Sequence, residues 1–184
     1  QFEFRIYPPP VFPSEKFQFC PQCGAQVPAR NPNAPLDCAA CGFHFYFNPS
    51  VAAAAIALRP DGKALFIRRA KEPAQGKLAI PGGFIDIGET AEQALRREFL
   101  EEVNVELTDI RFLCSQPNDY HYREVTYPVL DFFFSAQAKA DSVVAALDDV
   151  DEFHWLDPAS VDLDEIAFPS VRAAIEEFLA RRDA

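Results

Sequence analysis

The chain has 184 residues, 49% hydrophobic and 24% charged, which is long enough to bury a core and too apolar for wholesale disorder. Its formal net charge of −11, from 17 basic against 28 acidic side chains, opposes non-specific nucleic-acid binding, which needs clustered Lys and Arg. No apolar run approaches the roughly 18 residues of a membrane span; Ala52 to Leu58 comes nearest, and without a basic, cleavable leader the chain reads as cytoplasmic.

Ten of the 16 prolines fall in the first 60 residues and four of the five cysteines between 20 and 41. Residues 1–48 therefore read as an extended segment and a small module, and 49–184 as a separate domain. Pro8-Pro9-Pro10 and Pro13 favour extended backbone at the start. The chain contains no Met, so its natural start is expected to be missing or processed.

Cys20-Pro-Gln-Cys23-Gly24 and Cys38-Ala-Ala-Cys41-Gly42 are two C-x₂-C-G knuckles with 14 residues between them. Each knuckle can present two sulfurs to one ion, and four thiolates suit tetrahedral Zn²⁺. Such a site is coordinatively closed, so the expected Zn²⁺ is structural. Two disulfides are the alternative, disfavoured in a reducing compartment. A redox pair would need one motif only. His44 is expected to pack among Phe43, Phe45 and Phe47, and the solitary Cys114 to be a small buried hydrophobe.

From residue 50 the texture changes. Val51–Leu58 is apolar, and Asn48-Pro49 before it and Pro60-Asp61-Gly62 after it favour a strand, with Ala64–Arg68 as its hairpin partner. A glycine-rich segment, 78–88, precedes a helix from Ala91 to about Val103, opened by the Thr90/Gln93 capping-box pattern. Strands are expected at 110–115, 125–134 and 152–156. A C-terminal amphipathic helix is expected over 170–181, with Val171, Ala174, Ile175, Phe178 and Leu179 on one face. The mixed order points to an α+β fold.

On the 91–103 helix, Ala91, Ala94, Leu95 and Glu98 trace the inward stripe, and Glu101 and Glu102 follow Glu98 at i+3 and i+4. Three carboxylates converging on a partly buried face repel one another unless cations lie among them. Oxygen-only ligation suits Mg²⁺ or Mn²⁺. The competing reading is a solvated acidic helix with Arg97 and Glu101 paired at i+4, and the helix alone leaves the two level.

The residues in front of the helix decide. Gly83, Glu89, Arg97, Glu98, Phe99, Glu101, Glu102, Asn104 and Val105 follow G-x₅-E-x₇-R-E-U-x-E-E-x-G-U, where U is apolar, at eight of nine specified positions. This pattern resembles the signature of the Nudix hydrolases. The departure is Asn104 for glycine, at a helix end where Asn is the best substitute in left-handed backbone. The resemblance implies an α/β/α sandwich around a mixed sheet and metal-dependent hydrolysis of a nucleoside diphosphate linked to another moiety. It implies that Glu98, Glu101 and Glu102 bind Mg²⁺ or Mn²⁺ with a backbone carbonyl at about Gly82. Arg97 would orient a glutamate, and Glu89 would support the loop. The general base is open among those glutamates and Asp149, Asp151 and Glu152, with Glu152 the downstream acid to watch. The resemblance also favours a homodimer.

A zinc ribbon before such a domain resembles the NADH pyrophosphatase family, whose S-Q-P-W-P-F-P array begins here as Ser115-Gln116-Pro117 but continues as Asn118-Asp119-Tyr120. The layout is equally similar to hydrolases of ADP-ribose or FAD, so the expected partner is a small nucleotide-derived substrate. Arg68 and Arg69 could meet its phosphates. Tyr120 and Tyr122, with Tyr127, fall where a substrate-specifying loop is expected. Two other classes stand beside the enzyme: a nucleotide-sensing protein without catalysis, and an RNA-binding ribbon. The first lacks a helix-turn-helix or basic stripe. The second is opposed by residues 1–50, where Arg5, Lys16 and Arg30 are balanced by Glu3, Glu15 and Asp37.

Overall fold

A computed structural model describes residues 10–29 and 31–182. The extended backbone expected around Pro8 and Pro9 lies outside the described residues. Two compact units form: residues 1–49 with 119–128, and residues 50–118 with 129–184.

In the first unit a four-residue helix α1 (Pro13–Lys16) precedes a two-stranded antiparallel ribbon, β1 (Leu36–Asp37) and β2 (His44–Phe45). Its core is small: Cys20, Val27, Leu36 and Cys38 are buried, with Ala25, Phe43 and Phe47 against them. His44 does not pack among the phenylalanines. It is exposed, pairs through Nδ1 with Asp37 and meets the Tyr46 ring edge-on at 4.4 Å. Strand alternation turns it to the face opposite Phe43 and Phe45's neighbours in the core.

The second unit is built on a mixed sheet. The strands of that sheet are β3 (Ser50–Leu58), β4 (Ala64–Arg69), β5 (Leu78–Ala79), β6 (Gly82–Phe84), β7 (Leu107–Tyr122), β8 (Val125–Ala138) and β9 (Val150–Leu156), of which β7 to residue 118 and β8 from residue 129 belong to this unit. The main path runs β5-β4-β3-β8-β7, with β6 paired to β3 and β9 to β4. Alanine-rich β3 is a strand because it is central: it pairs with β8 in parallel from Ser50↔Val129 to Leu58↔Gln137. Its two faces meet different helices. Ala53, Ala55 and Ala57 join the cluster around α2 (Ala91–Val103), and Ile56 joins the cluster around α3 (Pro169–Arg182). Small side chains on the α2 face let that helix approach the sheet closely.

The expected hairpin of β3 and β4 is only its turn. The two strands pair at Leu58↔Ala64, after which β4 runs antiparallel to β9. The edge of β3 from Ala52 to Ala54 is taken by β6, and the Ala55 N–H reaches the Pro81 carbonyl at 3.2 Å. One strand edge pairs one partner, so the glycine-rich segment displaces β4. The helices follow expectation. Thr90 caps α2 by accepting from the Gln93 N–H, and Gln93 reaches back to the Thr90 N–H. Asn104 ends it at φ 55°, with its N–H on Leu100 O and its side-chain amide donating to Val143 O. Ala94, Leu95, Phe99 and Val103 face the core; on α3, Val171, Ala174, Ile175 and Phe178 do so. Among the described residues no helix is long and apolar enough to cross a membrane.

Replacing Asn104 with Ala keeps the left-handed demand and deletes the bond to Val143. Denaturant unfolding should show a loss of about 1–2 kcal/mol. An unchanged midpoint would mean that this helix end does not depend on its cap.

Candidate functional site

The four cysteines gather as the knuckle spacing requires. Their sulfurs lie within 4.8 Å of one another, with Cys20 Sγ to Cys41 Sγ at 3.7 Å and Cys23 Sγ to Cys38 Sγ at 3.6 Å. Tetrahedral thiolates at the usual Zn–S length would stand about 3.8 Å apart, whereas a disulfide requires about 2.05 Å. All four are free thiols, so the disulfide alternative is not what the structure contains. The knuckles are near copies. Gly24 and Gly42, at φ 74° and 73°, donate N–H to the carbonyls of Cys20 and Cys38 at 2.9 and 2.8 Å. The donor set fits Zn²⁺ by number, softness and spacing. Cys114 packs half-buried at the edge of the α3 cluster.

The second cluster is centred on Arg97. Its Nε and Nη2 grip Glu89 Oε1 and Oε2 at 2.9 Å each. Nη1 donates to Glu98 Oε1 at 2.7 Å and Glu101 Oε2 at 3.1 Å, and Nη2 also donates to the Phe84 carbonyl at 3.0 Å. Five bonds use all five N–H donors of the guanidinium. Glu89 Oε2 in turn accepts from the Asp86 N–H at 3.0 Å. Loop 84–89 is thereby tied to the helix from both sides.

Two of the three expected carboxylates come together. Glu98 and Glu102, at i and i+4, face the Gly82-Gly83 turn, and the Gly82 N–H donates to Glu102 Oε2 at 2.9 Å. Glu101 does not join them. Its side chain is 55% exposed and lies along Arg97, because an i+3 step from Glu98 turns it towards the flank that Arg97 occupies. Accordingly, the cysteines are the one group of three or more close-set ligand atoms among the described residues.

The glycines are required for separate reasons. A Cβ on Gly82 would stand 2.5 Å from Ala54 Cα, and one on Gly83 would stand 2.5 Å from the Glu98 carboxyl carbon and Oε1. The first permits strand pairing, and the second leaves room for a carboxylate.

Burial sets the protonation. It pushes the Glu102 carboxyl up to about 8, reinforced by the charges of Glu98 and Asp149 and opposed by the Gly82 N–H and Arg69. Glu98 is also raised by burial, against the pull of Arg97. Glu89 is held down to about 2 by its hydrogen bonds to Arg97, and those bonds raise Arg97 itself.

The other expected residues divide. Arg69 acts on Glu102 by charge, donates to the Pro73 carbonyl at 2.8 Å and covers the Phe168 ring. Arg68 is turned to the Gly76 carbonyl and to Glu152 at 3.8 Å, and Glu152 also meets His154 at 3.1 Å. Tyr120 and Tyr122 are strand residues rather than loop residues, because β7 continues to Tyr122; both belong to the first unit. Asp149 is the downstream acid whose charge reaches Glu102. Its carbonyl accepts from Ala70 N–H at 3.0 Å, the Leu147 N–H donates to Glu102 O at 2.9 Å, and its carboxylate pairs with Lys71. Only its membership of the acidic stretch marked it in the sequence. Buried Asp131, which accepts from Ser170 Oγ at 2.7 Å, carried no sequence signal.

A mixed sheet between helices, with half-buried carboxylates of one helix under a glycine turn, is the class of fold and site seen in hydrolases of phosphorus anhydrides. The family model described as NUDIX domain matches residues 48–178, and the chain belongs to the Nudix family. A curated relative from Pseudomonas aeruginosa, named NAD-capped RNA hydrolase NudC, is 26% identical over 90% of this chain and 56% of its own. One of the same name from Vibrio atlanticus is 31% identical over 56% of this chain and 38% of its own. The chain thus spans about half the length of the curated relatives it matches. The crystal structure of a NUDIX hydrolase from Nitrosomonas europaea superposes with a TM-score of 0.71 at 26% identity, covering 90% of this chain and 92% of that one.

Gly83→Ala should displace the Glu98 carboxylate and lower cation-dependent turnover roughly a hundredfold while circular dichroism stays unchanged; full activity would show that Glu98 need not sit there. Glu89 contributes to stability fully above its ordinary pKa of 4.5, and the contribution fades as pH falls towards 2. Acid unfolding of Glu89→Gln should therefore be less steep in that window than that of the wild type.

Proposed function

We propose that this protein hydrolyses the diphosphate linkage of a nucleoside diphosphate derivative, of the ADP-ribose or FAD kind, in a divalent-cation-dependent reaction that releases a mononucleotide. The observation that carries the proposal is the half-buried pair Glu98 and Glu102 under the Gly82-Gly83 turn, braced by Arg97. Their hard oxygen donors suit Mg²⁺ or Mn²⁺. Glu102 has one N–H partner in a low-dielectric setting, so an entering cation replaces its proton and relieves its repulsion with Glu98. Glu101, turned from Arg97, and the carbonyl at Gly82 complete the proposed set. A cation bound there would neutralise the diphosphate and lower the pKa of the attacking water.

The protein's own groups do the positioning. Arg97 holds Glu98 through Nη1 and is itself held by Glu89, which makes both positioning residues. Asp149 is our candidate for the acid that takes the proton, in preference to Glu152, because the Asp149 charge acts on Glu102. Arg69, whose charge acts on Glu102, is our candidate to meet a phosphate. Cys20, Cys23, Cys38 and Cys41 would hold a structural Zn²⁺ in a module bounded at about residues 48 and 49. Tyr120 and Tyr122 have no part in this reading.

A second reading, cleavage of an NAD-type dinucleotide, is favoured by the relatives named NAD-capped RNA hydrolase and by Ser115-Gln116-Pro117. A product-resolved screen with Mg²⁺ over ADP-ribose, NADH, FAD, diadenosine polyphosphates and nucleoside triphosphates separates the two. A mononucleotide from one diphosphate-bridged substrate, lost in Glu102→Gln, is the expected result. No hydrolysis of any of them would turn the case towards nucleotide sensing.

Two further outcomes are expected. Because Glu102 sits at about 8, cation binding at pH 7 should release roughly one proton, measured as a buffer-dependent heat and absent in Glu102→Gln. The purified protein should contain about one Zn²⁺ per chain; Cys20→Ser should lower stability more than turnover, and metal-free protein of full stability would overturn the zinc assignment.

A further inference from the structure

On the sheet face that carries α3, within the second unit, lies a cavity of about 460 Å³. Its floor is apolar: Leu58 at the end of β3, Leu113 on β7 and Phe178 on α3, all part of the α3 cluster. Its rim is cationic. Arg111 precedes Leu113 by two residues and so shares its strand face, and Arg181 and Arg182 fill the last turn of α3. Among the described residues no acidic side chain lines the cavity, in a protein whose net charge is −11.

A basic last turn is ordinary at a helix C-terminus, where it complements the helix dipole. That accounts for Arg181, which also pairs with Glu177 at 2.7 Å, and for Arg182, which lies 3.6 Å from Asp157. It does not account for Arg111. This residue is on a strand, is exposed, and has no hydrogen bond or ion pair among the described residues. An arginine left open beside two others, over apolar floor, presents planar N–H donors of the kind that match phosphate oxygens. The volume lies in the range of small-molecule sites.

We propose that this cavity binds a mononucleotide, with its phosphate held by Arg111 and Arg181 and its base laid on Leu58, Leu113 and Phe178. The site is separate from the carboxylates, because α2 packs on the Ala53, Ala55 and Ala57 face of the sheet and the cavity opens on the other. None of its residues takes part in the proposed hydrolysis. If that reaction releases a mononucleotide, the same class of molecule would report product level from a second position.

The test is calorimetric titration of AMP, adenosine and inorganic phosphate into the full chain without added divalent cation. Wild type is compared with Arg111→Glu, Arg181→Ala and the double variant Glu98→Gln/Glu102→Gln, each first checked for an unchanged melting temperature. The expected result is saturable AMP binding, equal in the carboxylate variant and weakened roughly tenfold or more by either arginine substitution, with adenosine and phosphate each weaker than AMP. AMP binding lost in the carboxylate variant but intact in Arg111→Glu would assign it to the catalytic face and overturn the proposal. So would the absence of saturation at about 1 mM. Phosphate binding as tightly as AMP would overturn the nucleotide assignment. The carboxylate variant keeps failure of this site distinguishable from failure of the hydrolase reading.

Discussion

Five N–H groups on one planar cation hold together the part of this protein that matters chemically. Arg97 reaches three carboxylates and the Phe84 carbonyl at once, which a lysine, with one nitrogen and no fixed fork, cannot do. Two of its five bonds are to Glu89, a residue eight positions earlier in the loop before the helix. Loop, helix and glycine turn therefore behave as one unit. The remaining grip keeps Glu98 next to Glu102, where burial opposes the charge of both. The cost of two partly desolvated carboxylates is offset in part by the Arg97 guanidinium.

That constraint explains features which look unrelated in the chain. Gly83 has no side chain because the Glu98 carboxylate occupies the space, and Gly82 has none because β6 lies against β3. β6 in turn displaces β4 from β3, which opens the hairpin and sends β4 to β9. The loop entering β9 is pulled to the end of α2 by the Leu147 N–H on Glu102 O, which brings Asp149 to the carboxylates. A ligand arrangement on one helix thus propagates into strand order.

The two clusters have opposite geometries. Four sulfurs at mutual distances under 4.8 Å form a closed set, and around them only a handful of residues are buried. A small module of that kind would depend on a bound ion for stability. The carboxylates form an open set, with Glu101 on Arg97 rather than beside Glu98 and Glu102. A closed set suits a structural role and an open one suits chemistry on a ligand.

Local rules carried a large part of this. Helix α2 begins at Thr90 and ends at Asn104 as capping chemistry dictates, and the cysteine knuckles meet because each C-x₂-C-G turn is self-contained. The motif from Gly83 to Val105 was legible because its residues lie within two turns of helix and the loop before it. What the chain alone did not reveal depends on contacts between distant segments. The partner of β4, the rise of Glu102 to about 8, the charge of Asp149 acting on Glu102 and the open arginine at position 111 all depend on which strand edge, helix face or loop is brought alongside. Periodicity and capping are properties of neighbours in sequence. Burial and charge coupling are properties of neighbours in space, and only the packed sheet decides those.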